Sequence, residues 1–374
     1  MHEPLAALRE RLDAIDAGLL DLLAERGTLS AAVLATKQRE GLSILDAGRE
    51  DAKVESFRSA AVARGLDPGW AEDFLRLVMG ASREQQSTGA FPQAAGGPRT
   101  VLIVGGGGRI GSLYGGVLAR SGHRVRVLEA GDWDHAAELA QGCDLAIVSV
   151  PIRDTVSVIT RLSPFLDPGT LLADFTSHKA DPVAAMLAAH PGPVLGLHPL
   201  HGPDVHNLSK QLMIACVGRD PDAAQWLLEQ VRLWGMRVAE MPAGRHDEGM
   251  HLVQGVRHFL ALLHGSFLAA RGTPPADILG LSSPIYRAEL MMTGRIFAQN
   301  PELYADIVFA DAERRGLLLE LLEHHQRLAD LVRNDDKAGF VAEFRQVAEF
   351  FGDFAPQALA ESSYLIHRLA DRFA

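Results

Sequence analysis

Apolar residues recur at three- and four-residue steps from the start of the chain: Leu5, Leu8, Leu12, Ile15, Leu19 and Leu22. That spacing sets them on one helical face, and no proline or clear stop intervenes before Gly41. One long helix over residues 5 to about 40 is predicted. A shorter helix follows over about 46–64, and Gly65-Leu66-Asp67-Pro68-Gly69 breaks it. A third, over about 70–86, carries apolar Phe74, Leu75, Leu77, Val78 and Met79. The first helix is too long for the other two to cover. Its apolar stripe needs a partner, expected to be a second copy of the chain.

From Ser87 to Pro98 the composition shifts to Ser, Thr, Gly, Pro, Gln and Ala, which reads as a linker. Strand and helix signals then alternate from 100 to about 243, with strand candidates at 144–150, 170–174, 194–197 and 213–217. Such alternation predicts a doubly wound α/β domain. From about His246 the pattern is helical, with stretches at 252–270, 284–299, 304–334 and 337–351.

The α/β region opens on its strongest signal. Val101-Leu102-Ile103-Val104 reads as a buried strand, and a glycine run ends it. Gly106, Gly108 and Gly111 stand at G-x-G-x-x-G spacing around Arg109 and Ile110. A helix over 112–120 and a second strand, Val125 to Leu128, lead to Glu129. Strand, glycine turn, helix, strand and acid, in that order, fit a Rossmann-like dinucleotide-binding unit. The glycines let backbone N–H groups approach a pyrophosphate at a helix N-terminus. Glu129 would accept from both ribose hydroxyls and repel a 2′-phosphate, which favours NAD over NADP. The competing reading is a glycine-rich turn that binds nothing.

The expected organisation is multidomain: an all-α domain over 1–88, a linker over 89–99, the Rossmann-like domain over 100–243 and an all-α domain over 244–374. At 374 residues the chain has room for two or three such domains. Its net charge of −11 argues against nucleic acid and anionic membrane surfaces as partners. Basic groups must therefore gather locally if the substrate is anionic. Cys143 and Cys216 lie in apolar segments, in no C-x-x-C, and are expected to be buried thiols in a reducing cytoplasm. Met1-His2-Glu3-Pro4 lacks the pattern of a signal peptide, and no apolar run approaches a membrane span. No metal site is expected.

Polar residues on the N-terminal helices form pairs. Arg26 and Lys37, eleven apart, fall on nearly the same helical face. Asp46 and Glu50 are an i, i+4 pair with Arg49 beside them, and Ser82 and Gln86 are another. They could converge on one pocket or stand on a solvated face. Arg9 lies about 25 Å up the helix from Arg26 and points about 100° away. If both bind one small ligand, Arg9 must come from a second subunit.

Taken together, L-R-x-x-L-D-x-I-D at 8–16, L-L-A-E-R ending at Arg26, Lys37, the Asp46-Arg49-Glu50 set, and Ser82 with Gln86 resemble the all-helical chorismate mutases. That resemblance covers residues 4–86 and implies an intertwined homodimer that rearranges chorismate to prephenate. It implies that Lys37 and Gln86 bind the ether oxygen, and that Arg26, Arg49 and the partner copy's Arg9 hold the two carboxylates. Asp46 and Glu50 would orient the enol-pyruvyl arm or the ring hydroxyl, with Ser82 helping. A Claisen rearrangement needs no nucleophile, only a held conformation and cations where charge builds.

Further on, Val194-Leu195-Gly196-Leu197-His198-Pro199 ends a buried strand in a histidine, on the edge where open α/β sheets bind ligands. Ser149-Val150-Pro151 and the loop carrying Ser177 end neighbouring strands and would line a nicotinamide. Arg287 and Arg295, eight apart, can face one side and grip an anion. The glycine turn, Glu129, S-V-P-I, D-x-x-S-x-K, G-L-H-P-x-x-G-P, His246-Asp247 and Y-R-x-E-L-x-x-x-G-R resemble prephenate dehydrogenase. The chain as a whole thus resembles the bifunctional chorismate mutase/prephenate dehydrogenases of tyrosine biosynthesis, whose C-terminal helices bind substrate and dimerise. The resemblance implies NAD-dependent oxidative decarboxylation of prephenate to 4-hydroxyphenylpyruvate. His198 would take the ring hydroxyl's proton, Arg295 a carboxylate, and tyrosine would be a feedback inhibitor. His201, His251 and the Gln254-Gly255 pair depart from the family pattern. Three other readings stay open: N-terminal helices that only dimerise or regulate, a dehydrogenase for another small acid, and a non-enzymatic NAD sensor.

Overall fold

The computed structural model describes residues 4–373, with side chains to 369. Met1, His2 and Glu3, on which the signal-peptide reading partly rests, lie outside the described residues. Two compact units divide the chain at His246/Asp247.

The first unit opens with α1 (Leu5–Glu40), α2 (Ala47–Val62) and α3 (Pro68–Ser87). Gly41 at φ 65° ends α1, its N–H returning to Lys37 O as in an αL cap. Asp46 and Asp67 cap the next two helices, each accepting from a backbone N–H three residues on. Of α1, only Leu34 is buried, while Leu12 and Ile15 are each 59% exposed. The apolar stripe read from the sequence is thus uncovered within one chain.

The sheet elements follow as β1 (Thr100–Val104), α4 (Arg109–Arg120), β2 (Arg124–Leu128), α5 (Ala136–Ala140), β3 (Leu145–Val148), α6 (Ile152–Leu162), β4 (Leu171–Asp174), α7 (Ala180–Ala189), β5 (Val194–Pro199), β6 (Leu212–Arg219), α8 (Pro221–Leu233) and β7 (Arg237–Glu240). The strand order is β2-β1-β3-β4-β5-β6-β7. The first five strands are parallel; β6 pairs antiparallel to β5, and β7 parallel to β6. The next two strands in sequence, β2 and β3, lie on opposite sides of β1, so a topological switch point lies at its carboxyl end. The inner strands β1, β3 and β5 are near-continuous apolar runs buried on both faces, whereas the edge strand β2 alternates Arg and Val and is partly exposed.

The segment read as a linker lies against this domain. Phe91 and Ala94 are buried. Phe91 N–H donates to Arg120 O at 3.0 Å, and the buried Gln230 amide bridges Ala94 N–H and Pro92 O.

α9 (Ala243–Met250) leads into the second unit, where residues His251–Val256 form a π-helical turn before α10 (Arg257–Arg271). Helices α11 (Pro275–Gly280), α12 (Pro284–Phe297), α13 (Pro301–Val308), α14 (Ala312–Arg333), α15 (Lys337–Phe351) and α16 (Phe354–Phe373) follow. The single helix expected over 304–334 is two, because Asp311 caps α14, accepting from Arg314 N–H at 2.7 Å. No helix among the described residues is long and apolar enough to cross a membrane.

Candidate functional site

A pocket of about 290 Å³ lies among α1, α2 and α3. Seven of the residues expected on it line it: Arg26, Lys37, Asp46, Arg49, Glu50, Ser82 and Gln86. Arg9 is exposed on α1 and is not among the lining residues. The lining also includes Lys53 and Arg83, which brings five cations together with two carboxylates in a chain of net charge −11. That local excess of positive charge suits a dianion.

Several of the pocket's polar groups are held by neighbouring side chains and backbone. The Arg26 guanidinium donates to Ser82 Oγ, which in turn donates to Val78 O at 3.0 Å. The buried Gln86 amide donates to Ser30 Oγ at 2.8 Å. Lys37 Nζ donates to Ile44 O at 2.6 Å. Burial pulls the Lys37 ammonium below its ordinary pKa, against the opposing pull of Asp46 and Glu50. Burial alone would raise the Glu50 carboxyl. Lys210 and Arg83 outweigh it and hold the group below the usual carboxylate value.

The second constellation stands at the carboxyl edge of the parallel sheet. Gly105, just past β1, has φ 78°, a left-handed conformation that glycine adopts without strain. A Cβ added there would stand 2.5 Å from Ser149 O, and one on Gly111 would stand 2.5 Å from Gly105 O. Gly106 packs on Val127, where a Cβ would meet a methyl group at 2.8 Å. Gly108 caps α4, so Arg109 and Ile110 begin the helix. Glu129 follows β2 and accepts from Gly107 N–H at 2.6 Å, beside the turn. Ser149, Val150 and Pro151 follow β3, and Pro151 caps α6. Ser177 lies in the loop after β4.

His198 is the fifth residue of β5 and is buried. Its Nδ1 shares a hydrogen bond of 2.7 Å with His246 Nε2, the rings meeting at 71°. Beneath it, the wholly buried Lys179 ammonium donates to Leu197 O at 2.8 Å and pairs with the buried Asp174 carboxylate. The bridge ties the ends of β4 and β5 together. His201 stands on Tyr114, with Nε2 and the phenol oxygen 2.8 Å apart.

Within the second unit, α12 carries both Arg287 and Arg295. Two of the residues that depart from the family pattern, Gly255 and His251, pack against α14 and its cap there. Gly255, on the π-helical turn, faces the buried Arg314, and a Cβ would stand 3.0 Å from that side chain's methylenes. His251 meets Asp311 at 3.1 Å. Burial, with Arg257 and Arg314 adding to it, pushes His258 down to about 4.

Family models match along the whole order: chorismate mutase type II over residues 8–87, the prephenate dehydrogenase nucleotide-binding domain over 116–232, and its dimerization domain over 242–346. The T-protein of Enterobacter agglomerans is 42% identical over 371 residues, 99% of each chain. That of Haemophilus influenzae is 38% identical over 369 residues, 99% of this chain and 98% of its own. The chain belongs to the bifunctional chorismate mutase/prephenate dehydrogenase family. A crystal structure of Aquifex aeolicus prephenate dehydrogenase with hydroxyphenyl propionate and NAD+ shares the fold. It has a TM-score of 0.56 and 19% identity, covering 68% of this chain and 97% of that one.

In this bifunctional enzyme several groups near the two sites escape sequence reasoning. Arg83 and Lys53 sit one turn from Gln86 and Arg49, and their helical spacing is the signal that could have found them. His246 was visible only as part of a motif; nothing local says that it meets His198. Gly105 lies outside the G-x-G-x-x-G count, yet it is the glycine of the turn with positive φ.

Proposed function

We propose that the helical pocket carries the rearrangement of chorismate to prephenate and that the sheet edge carries its oxidative decarboxylation to 4-hydroxyphenylpyruvate, a step of tyrosine biosynthesis. Convergence of the seven expected polar residues on one pocket supports the first assignment. Lys37 and Gln86 bind the ether oxygen, where negative charge grows as the bond breaks. Arg26 and Arg49 hold carboxylates, and Asp46, Glu50 and Ser82 orient the arm and ring hydroxyl. Arg9 comes from a second copy, and the exposed stripe of α1 supports a homodimer built on that helix.

For the second reaction, the glycine turn suits a dinucleotide because the close packing at Gly105 and Gly111 leaves no room for a side chain and keeps the turn bare backbone. Gly106, Gly108, Arg109, Ile110 and Gly111 cradle the pyrophosphate, and Glu129 takes the ribose hydroxyls. Ser149, Val150, Pro151 and Ser177 line the nicotinamide. NAD+, when bound, supplies the hydride acceptor. His198 accepts the hydrogen bond, and finally the proton, of the ring hydroxyl, while Arg295 and Arg287 hold carboxylate. Loss of CO₂ restores the aromatic ring and draws the reaction forward. Tyrosine, the end product, is the expected feedback inhibitor, and the cytoplasm the expected compartment. NADH formation from chorismate plus NAD+, with neither product nor second enzyme added, tests both activities at once. Absence of NADH with prephenate supplied directly would remove the dehydrogenase assignment.

A further inference from the structure

We propose that Lys210, on the loop between β5 and β6, is a positioning residue for the Glu50 carboxylate of the mutase pocket. The inference rests on the reading of Glu50 as a group that meets the substrate. Lys210 Nζ stands 2.8 Å from Glu50 Oε2, while the Arg83 guanidinium holds Oε1. Glu50 faces the pocket, whereas Lys210 is not among its lining residues. A cation on each oxygen fixes the carboxylate's rotation and keeps it charged. One of those cations belongs to the dehydrogenase part of the chain.

The backbone around Lys210 is built for this contact. Lys210 has φ 68°, a left-handed conformation uncommon for a lysine and easy for glycine or asparagine. Its N–H donates to Gly235 O at 2.8 Å. A Cβ on Gly235 would stand 2.9 Å from Ser209 Oγ and 3.2 Å from Leu45 Cβ, so this turn lies directly against the mutase segment. That segment is itself docked: Ser43 Oγ donates to Arg232 O at 2.9 Å and Ile44 N–H to Leu233 O at 3.3 Å. Ile44 O is also the acceptor of Lys37. The stretch that enters α2, and with it Glu50, is therefore placed by α8 and the Lys210 turn. A lysine held in a conformation that glycine or asparagine adopts with less strain points to a role for its ammonium group.

Full-length Lys210→Asn separates charge from fold, because asparagine accepts the left-handed backbone. The melting temperature and prephenate dehydrogenase activity should hold. Mutase kcat/KM should fall by about five- to tenfold, the loss of one partly exposed ion pair on a group that meets the substrate. The acid limb of the mutase pH profile should move upward, because Arg83 on α3 and Lys37 on α1 then remain as the cations facing Glu50 from other helices, with Arg49 and Lys53 on its own. Lys210→Arg should restore most of the rate. In a Glu50→Gln background, Lys210→Asn should change nothing further. An unchanged mutase in Lys210→Asn, with Glu50→Gln impaired, would overturn the inference and leave the reading of Glu50 standing. Equal loss of both activities in Lys210→Asn would make the lysine merely structural and overturn it as well. A fully active Glu50→Gln would instead overturn the reading on which it rests.

Discussion

His198 and His246 share a hydrogen bond 2.7 Å long, from a strand end to the first turn of α9, and both rings are buried. The contact fixes the orientation of both rings. In the proposed reaction His198 takes the ring-hydroxyl proton, and His246 is proposed to hold its ring in place.

His198→Asn should lower dehydrogenase kcat by about 10²–10⁴, the usual worth of a positioned general base. NAD+ affinity and mutase activity should be retained. His246→Gln should cut kcat by a smaller factor, because the base survives while its orientation loosens. Steady-state kinetics of both activities check this. Full dehydrogenase activity in His198→Asn would move the search to His201 and His246.

Arg9 stands outside the pocket that holds Arg26, which predicts a composite mutase site. Arg9→Ala and Arg26→Ala homodimers should each be inactive as mutases. After subunit exchange, half the dimers are mixed and each has one intact site, so roughly a quarter of wild-type activity should return. Failure to recover, with exchange verified by mass spectrometry, would place Arg9 outside the site.

The Lys37 ammonium is held below its ordinary value, chiefly by burial. In its proposed role at the ether oxygen it must be charged. Mutase kcat should therefore decline on the alkaline side at a pH below the ordinary lysine range, as the proton leaves. Asp46→Asn removes an opposing carboxylate and should move that limb lower still. An alkaline limb that does not respond to Asp46→Asn would detach it from Lys37.

Glu129 accepts from Gly107 N–H at 2.6 Å and so stands beside the glycine turn. Glu129→Ala should narrow the preference for NAD+ over NADP+, read as the ratio of kcat/KM values for the two cofactors. A wild-type enzyme that uses both equally would dispose of the idea.

Helix period alone determined that residues 5–40 form one helix whose stripe outruns its partners, and spacing alone put Arg26 and Lys37 on one face. Glycine spacing announced the nucleotide turn, and an unbroken apolar strand delivered His198 to the ligand edge of the sheet. These are local signals, because side-chain period and turn chemistry depend on residues a few positions apart. The segment over 89–99 has the composition of a linker, yet Phe91 and Ala94 are buried, because Gln230 supplies hydrogen bonds from far along the chain. The pairing of His198 with His246 and of Glu50 with Lys210 likewise joins residues that share no local pattern. Only packing brings such groups within bonding distance, and only then is the ionisation of Glu50 set, by two cations opposing its burial.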